Sequence, residues 1–312
     1  MDLRDIEYFA VLAEHRHVGR AAEALGLGQP ALSMSLRRLE KSAQAKLVKR
    51  TPKGVELTAV GAALLSHVQR LRLARDDLAR EIADLAHGRA GQLRIGAGSA
   101  SAEALLPDAC GALLTEAPKV VLRVTVNANN DVLLPALRNA ELEVVVNHVR
   151  QAATQGLTQE SLGEDEFVVY ASADHRLARL KSVTLADLAQ ERWAMTEASA
   201  FHARQSLHSV FADRGLPPPL ISLVSESSML NRHTVATTAL LGFATRRAVQ
   251  AIAPHFRLAI IPVRDMKWVR PVAVFYRKDG YLSPVARRFI DILRSTARQE
   301  NSPIFGSKPG SR

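Results

Sequence analysis

A single cysteine, Cys110, stands among 312 residues. That excludes a disulfide framework and any zinc site built on cysteines. Its context, PDACGALL, is apolar and helical, as for a small core side chain. No apolar run reaches the ~18–20 residues needed to span a bilayer. The opening MDLRDIEYFAVLAEH is too acidic and mixed for a signal or transit peptide, so a cytoplasmic protein is expected. Catalytic signatures are missing as well: no GxSxG elbow, no P-loop and no HExxH. His202 and His208 lie six apart, on different sides of a helix, which disfavours a metal pair. No enzyme, cofactor or metal is expected.

What is present suits two domains joined by a connector. Hydrophobic residues make up 47% and charged residues 23%, enough apolar content for a sizeable core. The formal net charge is +10, and it is unevenly spread. Between Arg16 and Lys53 nine basic residues face only Glu23 and Glu40, a local excess of +7. A basic run is usually a solvated face, unless the same segment carries a nucleic-acid-binding pattern.

This one does. Leu3, Ile6, Phe9, Ala10 and Ala13 recur at helical spacing. Ala21, Ala22 and Leu25 mark a short helix broken at Gly26, and a second helix starts with Pro30 in its first turn. Two short helices around a glycine-containing turn form a helix-turn-helix. On the second helix Leu32, Leu36 and Leu39 face inward, while Gln29, Ser33 and Arg37 share the opposite face. Those polar groups suit base edges, and Pro30 suits a thymine methyl. Arg38 and Lys46 suit phosphates. The stretch KLVKRTPKGVELT predicts a two-stranded wing with Lys49, Arg50 and Lys53, Arg50 being placed to enter a minor groove.

From Thr58 a long helix is expected, with leucines at 57, 64, 71, 78 and 85. Leu64, Val68, Leu71, Leu78, Ile82 and Leu85 form a seam that needs another helix, and self-association is the favoured occupant. Beyond Gly91, short β-rich runs alternate with helices, as in an α/β domain on mostly parallel sheets. The proline-rich stretch Gly215–Leu220 suggests two subdomains. RIGAGSASAEALLP reads as strand, Gly-rich turn and helix N-terminus, where Ser99 and Ser101 offer an anion cradle. It is not a dinucleotide loop: Ser101 replaces the third glycine, and no acid follows ~20 residues on. The next strand ends instead at Asn127, Asn129 and Asn130, which makes Asn129 a cleft candidate.

Residues 20–61, RAAEALGLGQPALSMSLRRLEKSAQAKLVKRTPKGVELTAVG, resemble the LysR-type bacterial transcriptional regulators, and the order of elements matches to about residue 300. The resemblance implies an α/β chain in three parts. An all-α winged helix-turn-helix spans 1–58, a linker and dimerisation helix 59–90, and a two-lobed effector-binding domain 91–300. Lobe 1 is expected at 91–162 with 267–300, lobe 2 at 163–266, and 301–312 as a disordered tail. It implies a sequence-specific regulator that binds promoter DNA as a homodimer or homotetramer and senses a small molecule, carboxylates included, with RNA polymerase a further candidate partner. The cleft is expected at His148, Arg150, Thr196, Ser199, Phe201, Ser227 and Ser228. Departures from the family pattern fall at Gly28, at Met34 and Ser35, and at Arg246 and Arg247. The alternatives are an α/β enzyme or solute-binding domain fused to a DNA-binding module, or an architectural DNA-binding protein without an effector.

Overall fold

The computed structural model describes residues 1–52, 54–87, 91–127, 129–149, 155–196, 208, 210–264 and 267–301. They form two units, Met1–Ala83 and Asp84–Arg312.

In the first unit, Asp2 caps helix α1 (Leu3–His15) by accepting the Arg4 N–H at 2.8 Å. Ile6, Phe9, Ala10 and Leu12 are buried along one face of α1. Helix α2 (Val18–Ala24) is capped by the His17 ring, and its buried Ala21 and Ala22 let α1 and α3 approach closely. Helix α3 (Gln29–Ala43) has Pro30 in its first turn and no side-chain cap, Gly28 having none to give. Strands β1 (Val48–Thr51) and β2 (Gly54–Leu57) pair antiparallel as the wing. The Val55 N–H bonds the Arg16 carbonyl at 2.8 Å, and a Cβ on Gly54 would meet that oxygen at 2.3 Å. Only glycine lets the wing lie so close to the α1–α2 turn.

Helix α4 (Ala59–His87) starts at Thr58, whose hydroxyl accepts the Gly61 N–H at 3.0 Å and donates to the Lys46 carbonyl at 2.7 Å. Its first turns belong to the first unit's core: Val68 is 1% exposed among Ile6, Phe9, Leu39 and Leu47, with Leu64 against the same cluster. Burying such side chains contributes roughly 1.5–3 kcal/mol each. Arg72 adds ion pairs to Glu7 and Glu14 on α1 at 2.7 and 2.8 Å.

The second unit runs β3 (Gln92–Ala97), α5 (Ser99–Glu116), β4 (Val121–Val126), α6 (Asn130–Arg138), β5 (Val144–His148) and β6 (Leu157–Ser172). It continues with α7 (Leu185–Ala189), β7 (Arg192–Thr196), β8 (Leu220–Ser225), α8 (Ser228–Thr237), β9 (Leu241–Thr245) and α9 (Arg246–Phe256). The last elements are β10 (Leu258–Ile260), β11 (Trp268–Arg277) and α10 (Pro284–Asn301). One sheet holds these strands in the order β4-β3-β5-β11-β6-β9-β7-β8, with β10 beside β6.

Both flanks are parallel, as the alternating pattern predicts, but the centre is antiparallel. The reason is the chain path: β6 carries it out of the first half and β11 brings it back. Their register shifts between Val272 and Ala273, beside Gly163. A bulge there bends the pair where the halves meet. Leu93, Ile95, Val144, Val274 and Phe289 centre the core of the first half, and Val169, Trp193, Phe211 and Leu241 that of the second. Cys110 packs half-buried against the first core, where burial pushes its thiol pKa up.

Candidate functional sites

The exposed face of α3, the start of α2 and the wing enclose a groove of about 600 Å³. Gln29, Pro30, Ser33, Arg37 and Arg50 all line it. A helical period of 3.6 puts Gln29, Ser33 and Arg37 on one stripe, and the pinned wing brings Arg50 opposite. His17, which the sequence pattern did not single out, and the 59%-exposed Met34, one of the departures from the family pattern, also line the groove. On the other side of Arg37 and Arg50 a second groove brings in Lys46.

Two basic residues on this surface have protein partners. Arg38 holds Asp5, with Nη2 2.6 Å from Oδ1 and Nε 3.1 Å from Oδ2. Lys46 reaches Glu40 at 2.7 Å, beside the Leu47 N–H at 3.0 Å on the same carboxylate. Burial works against ionised Glu40, yet these contacts prevail and its pKa falls below the usual value. Both cations remain largely exposed, at 60% and 78%, so each still presents charge outward. Ser35, the other departure from the family pattern on this helix, faces inward and donates to Asp5 at 2.6 Å. Lys53 lies outside the described residues.

The seam of α4 divides. Val68 is covered within one chain and Leu64 partly so, which corrects the expectation that both meet a second helix. Leu71, Leu78 and Ile82 are 54–56% exposed. The side chain of Leu85 lies outside the described residues.

In the second unit a cavity of about 60 Å³ lies between the halves of the sheet. Ser99 and Glu103 of α5 and His148 at the end of β5 line it from the first half. Thr196 of β7 and Ser228 and Arg232 of α8 line it from the second. Asn130, Thr245 and Ala248 also face it, so the N-termini of α5, α6, α8 and α9 converge there. Their orphan N–H groups and dipole ends favour negative charge. Three of these ends carry a side-chain cap, from Asn129, Ser227 and Thr245, whereas α5 follows Gly98 and has none.

Phe167, Phe243 and Tyr170 give the cavity an apolar wall. The Phe167 ring lies 5.4 Å from both Phe243 and His148, and the Arg270 guanidinium sits 5.8 Å from its centroid. Burial pushes the Tyr170 phenol up to about 12, against the nearby Arg232 guanidinium. His148 Nε2 is 2.9 Å from the buried Asp165, which Arg247 approaches at 3.8 Å. Arg246 pairs with Glu166 at 2.6 and 3.0 Å, so both departures at the start of α9 turn towards carboxylates of β6. Asn147 bonds Asn130 at 2.7 Å, and Asn130 bonds the His148 carbonyl at 3.1 Å, fixing this end of β5. Arg232 forms an ion pair with Glu103 across the cavity.

Three expected cleft residues are placed elsewhere, one of them Ser227, whose hydroxyl caps α8 by accepting the Leu230 N–H. Ser101 is 1% exposed and does not line the cavity, because two residues along α5 turn it roughly opposite Ser99, into the helix's packing. Asn129 is also off the lining, its side chain being taken up as the α6 cap. Arg150, Ser199 and Phe201 lie outside the described residues. Glu103, Tyr170, Asp165 and Arg232 went unread in the sequence. No helix of the described residues is long and apolar enough to cross a membrane.

Comparison with known proteins covers both units. Residues 3–62 match the family described as bacterial regulatory helix-turn-helix protein, lysR family, and residues 86–298 match the LysR substrate binding domain. The SDS degradation transcriptional activation protein of a Pseudomonas species is 33% identical over 81% of this chain and 85% of its own. The regulator IlvR of Caulobacter vibrioides is 32% identical, over 87% and 89% respectively. Among solved structures, a full-length OxyR variant from Pseudomonas aeruginosa superposes with a TM-score of 0.60 at 25% identity, covering 96% of this chain and 95% of its own. Full-length CbnR complexed with its target DNA gives 0.60 at 20% identity, with 95% and 100% covered, a likeness of fold.

Proposed function

Because the chain belongs to the lysR family of bacterial regulatory helix-turn-helix proteins, we propose that this DNA-binding transcriptional regulator reads its promoter with the groove face of α3 and the wing. In this reading its cleft takes a small anionic effector. It is a regulator rather than an enzyme, as its relatives are.

The observation that carries the DNA reading is the shared groove of Gln29, Ser33, Arg37 and Arg50. Gln29 and Arg37 supply bidentate groups for base edges, Ser33 a short adaptable one, and Pro30 an apolar contact. Arg38, Lys46 and Lys53 serve phosphates, and Arg50 the minor groove. Leu71, Leu78 and Ile82, with Leu85, meet the same helix of a second chain. The chain works in the cytoplasm, where promoter DNA is.

In the effector domain, the lobes expected at 91–162 with 267–300 and at 163–266 frame the cleft. Ser99, His148, Thr196 and Ser228 face the effector, with Arg232 as its charge partner. Effector binding changes the angle between lobes and, through paired α4 helices, the spacing of the two winged domains. The test is binding to DNA from upstream of the protein's own coding sequence against random DNA, over a range of salt. Sequence preference with a steep salt slope is expected. Equal affinity for the two DNAs refutes the reading.

A further inference from the structure

The cavity has a built-in symmetry of spacing. Ser99 and Glu103 are one helical turn apart on α5, and Ser228 and Arg232 are one turn apart on α8. All four side chains face the cavity, two from each half of the sheet. Among the described residues the Arg232 guanidinium makes one ion pair, to Glu103, and that pair bridges the halves.

Burial decides which partner can leave. The Arg232 side chain is 7% exposed and that of Glu103 is 22% exposed. A buried guanidinium without a counter-charge is strongly disfavoured, so Arg232 seldom stands without an anion beside it. The Glu103 carboxylate lies nearer the surface and can turn out into water at less cost. An incoming anion therefore exchanges with Glu103 while Arg232 stays in place.

We propose that Glu103 is an internal occupant of the effector site, and that a small carboxylate acts by replacing it on Arg232. The proposal rests on reading this cleft as the effector site. A carboxylate is the matching chemistry, since the present occupant is one and the guanidinium fork fits its two oxygens. The Ser99 hydroxyl and the uncapped N-terminus of α5 on one side and the Ser228 hydroxyl on the other add hydrogen-bonding groups, and Phe167 and Phe243 receive an apolar body. About 60 Å³ is far below the ~300 Å³ at which ordinary ligand pockets begin. With Glu103 on Arg232 the cavity is too small for such a ligand, and release of that pair is what enlarges it.

Binding of sodium butyrate to the full chain tests this by calorimetric titration, with butyramide, phosphate and chloride at equal ionic strength as references. If the pair leaves Arg232 free for a tenth of the time or less, removing Glu103 tightens butyrate binding by about tenfold or more. Glu103→Ala and the shape-preserving Glu103→Gln both serve, so a folding defect in the first leaves the second. Arg232→Gln in the Glu103→Gln background abolishes the gain, and butyramide shows none.

Affinities within about twofold of one another in wild type and Glu103→Gln overturn the proposal. So does a gain that survives Arg232→Gln, or one given equally by phosphate. Footprints on the upstream DNA separate this from the broader reading. Butyrate held through Arg232 with footprints unchanged under every carboxylate keeps the exchange and defeats the regulatory role. Footprints that respond to a metabolite, with no gain in Glu103→Gln, do the reverse.

Discussion

Arg38 grips Asp5 at two points, and Ser35 bonds the same carboxylate at 2.6 Å, so one acid of α1 fastens two successive turns of α3. The Arg38 guanidinium holds the Asp5 carboxyl below its usual 3.8 against the cost of burial, with Ser35 assisting. A carboxylate whose pKa falls on folding adds stability above its unfolded value, and loses it as pH drops through the folded value. Asp5→Asn should therefore lower the melting temperature of the N-terminal unit at pH 7, and the gap should close below about pH 3.8. Calorimetry at both pH values checks it; a gap independent of pH contradicts the assignment.

Base-reading and phosphate-binding side chains should separate by their salt behaviour. Arg37→Ala should cost roughly 1–3 kcal/mol of binding and relax preference at one base pair. Lys46→Ala should weaken binding to all sequences alike and reduce the log–log salt slope by about 1. Competition titrations on a mutated operator series at several salt concentrations measure both.

The divided seam of α4 gives two distinct phenotypes. Val68→Ala should destabilise the N-terminal unit by roughly 1–3 kcal/mol, as expected for a truncated core side chain, with association unchanged. Leu71→Ser together with Leu78→Ser should weaken self-association while leaving that unit's melting temperature within about 2 °C of wild type. Sedimentation velocity and calorimetry on the same samples distinguish them. Reversed phenotypes would show the seam to be misassigned.

At Gly61 a Cβ would stand 2.0 Å from the Leu47 carbonyl oxygen, a backbone atom already bonded to the Thr58 N–H. Gly61→Ala must push α4 away from the wing. A loss of roughly 1–3 kcal/mol in urea unfolding is expected, together with weaker DNA binding. Wild-type stability in this variant would mean that the close approach is not needed.

What the sequence disclosed follows the range of the forces involved. Gln29, Ser33 and Arg37 were readable because a helix places i, i+4 and i+8 together without outside help. The wing and the start of α4 were likewise local. The direction faced by Ser35 was hidden, since it depends on an acid 30 residues earlier. The leucine ladder announced a helix needing cover, and it could not say that Val68 finds that cover within its own chain. Glu103 and Arg232 are 129 residues apart, and Asp165 meets His148 only through the bent central strands. For Ser101 and Asn129 the motif was visible, but Ser101 falls roughly opposite Ser99 around α5 and the Asn129 side chain is spent on capping α6.

The paired β6 and β11 also impose an order of events on the newborn chain. Leu93 and Ile95 leave the ribosome early, yet they share a core with Val274, Phe289 and Leu293. That core cannot close until the final stretch has been made, and β5 waits unpaired on one side until β11 arrives. Domains dominated by such distant contacts fold slowly and expose strand edges meanwhile. A stop codon before β11 would thus leave the early half without its partner, even though every residue of that half's parallel strands had been translated.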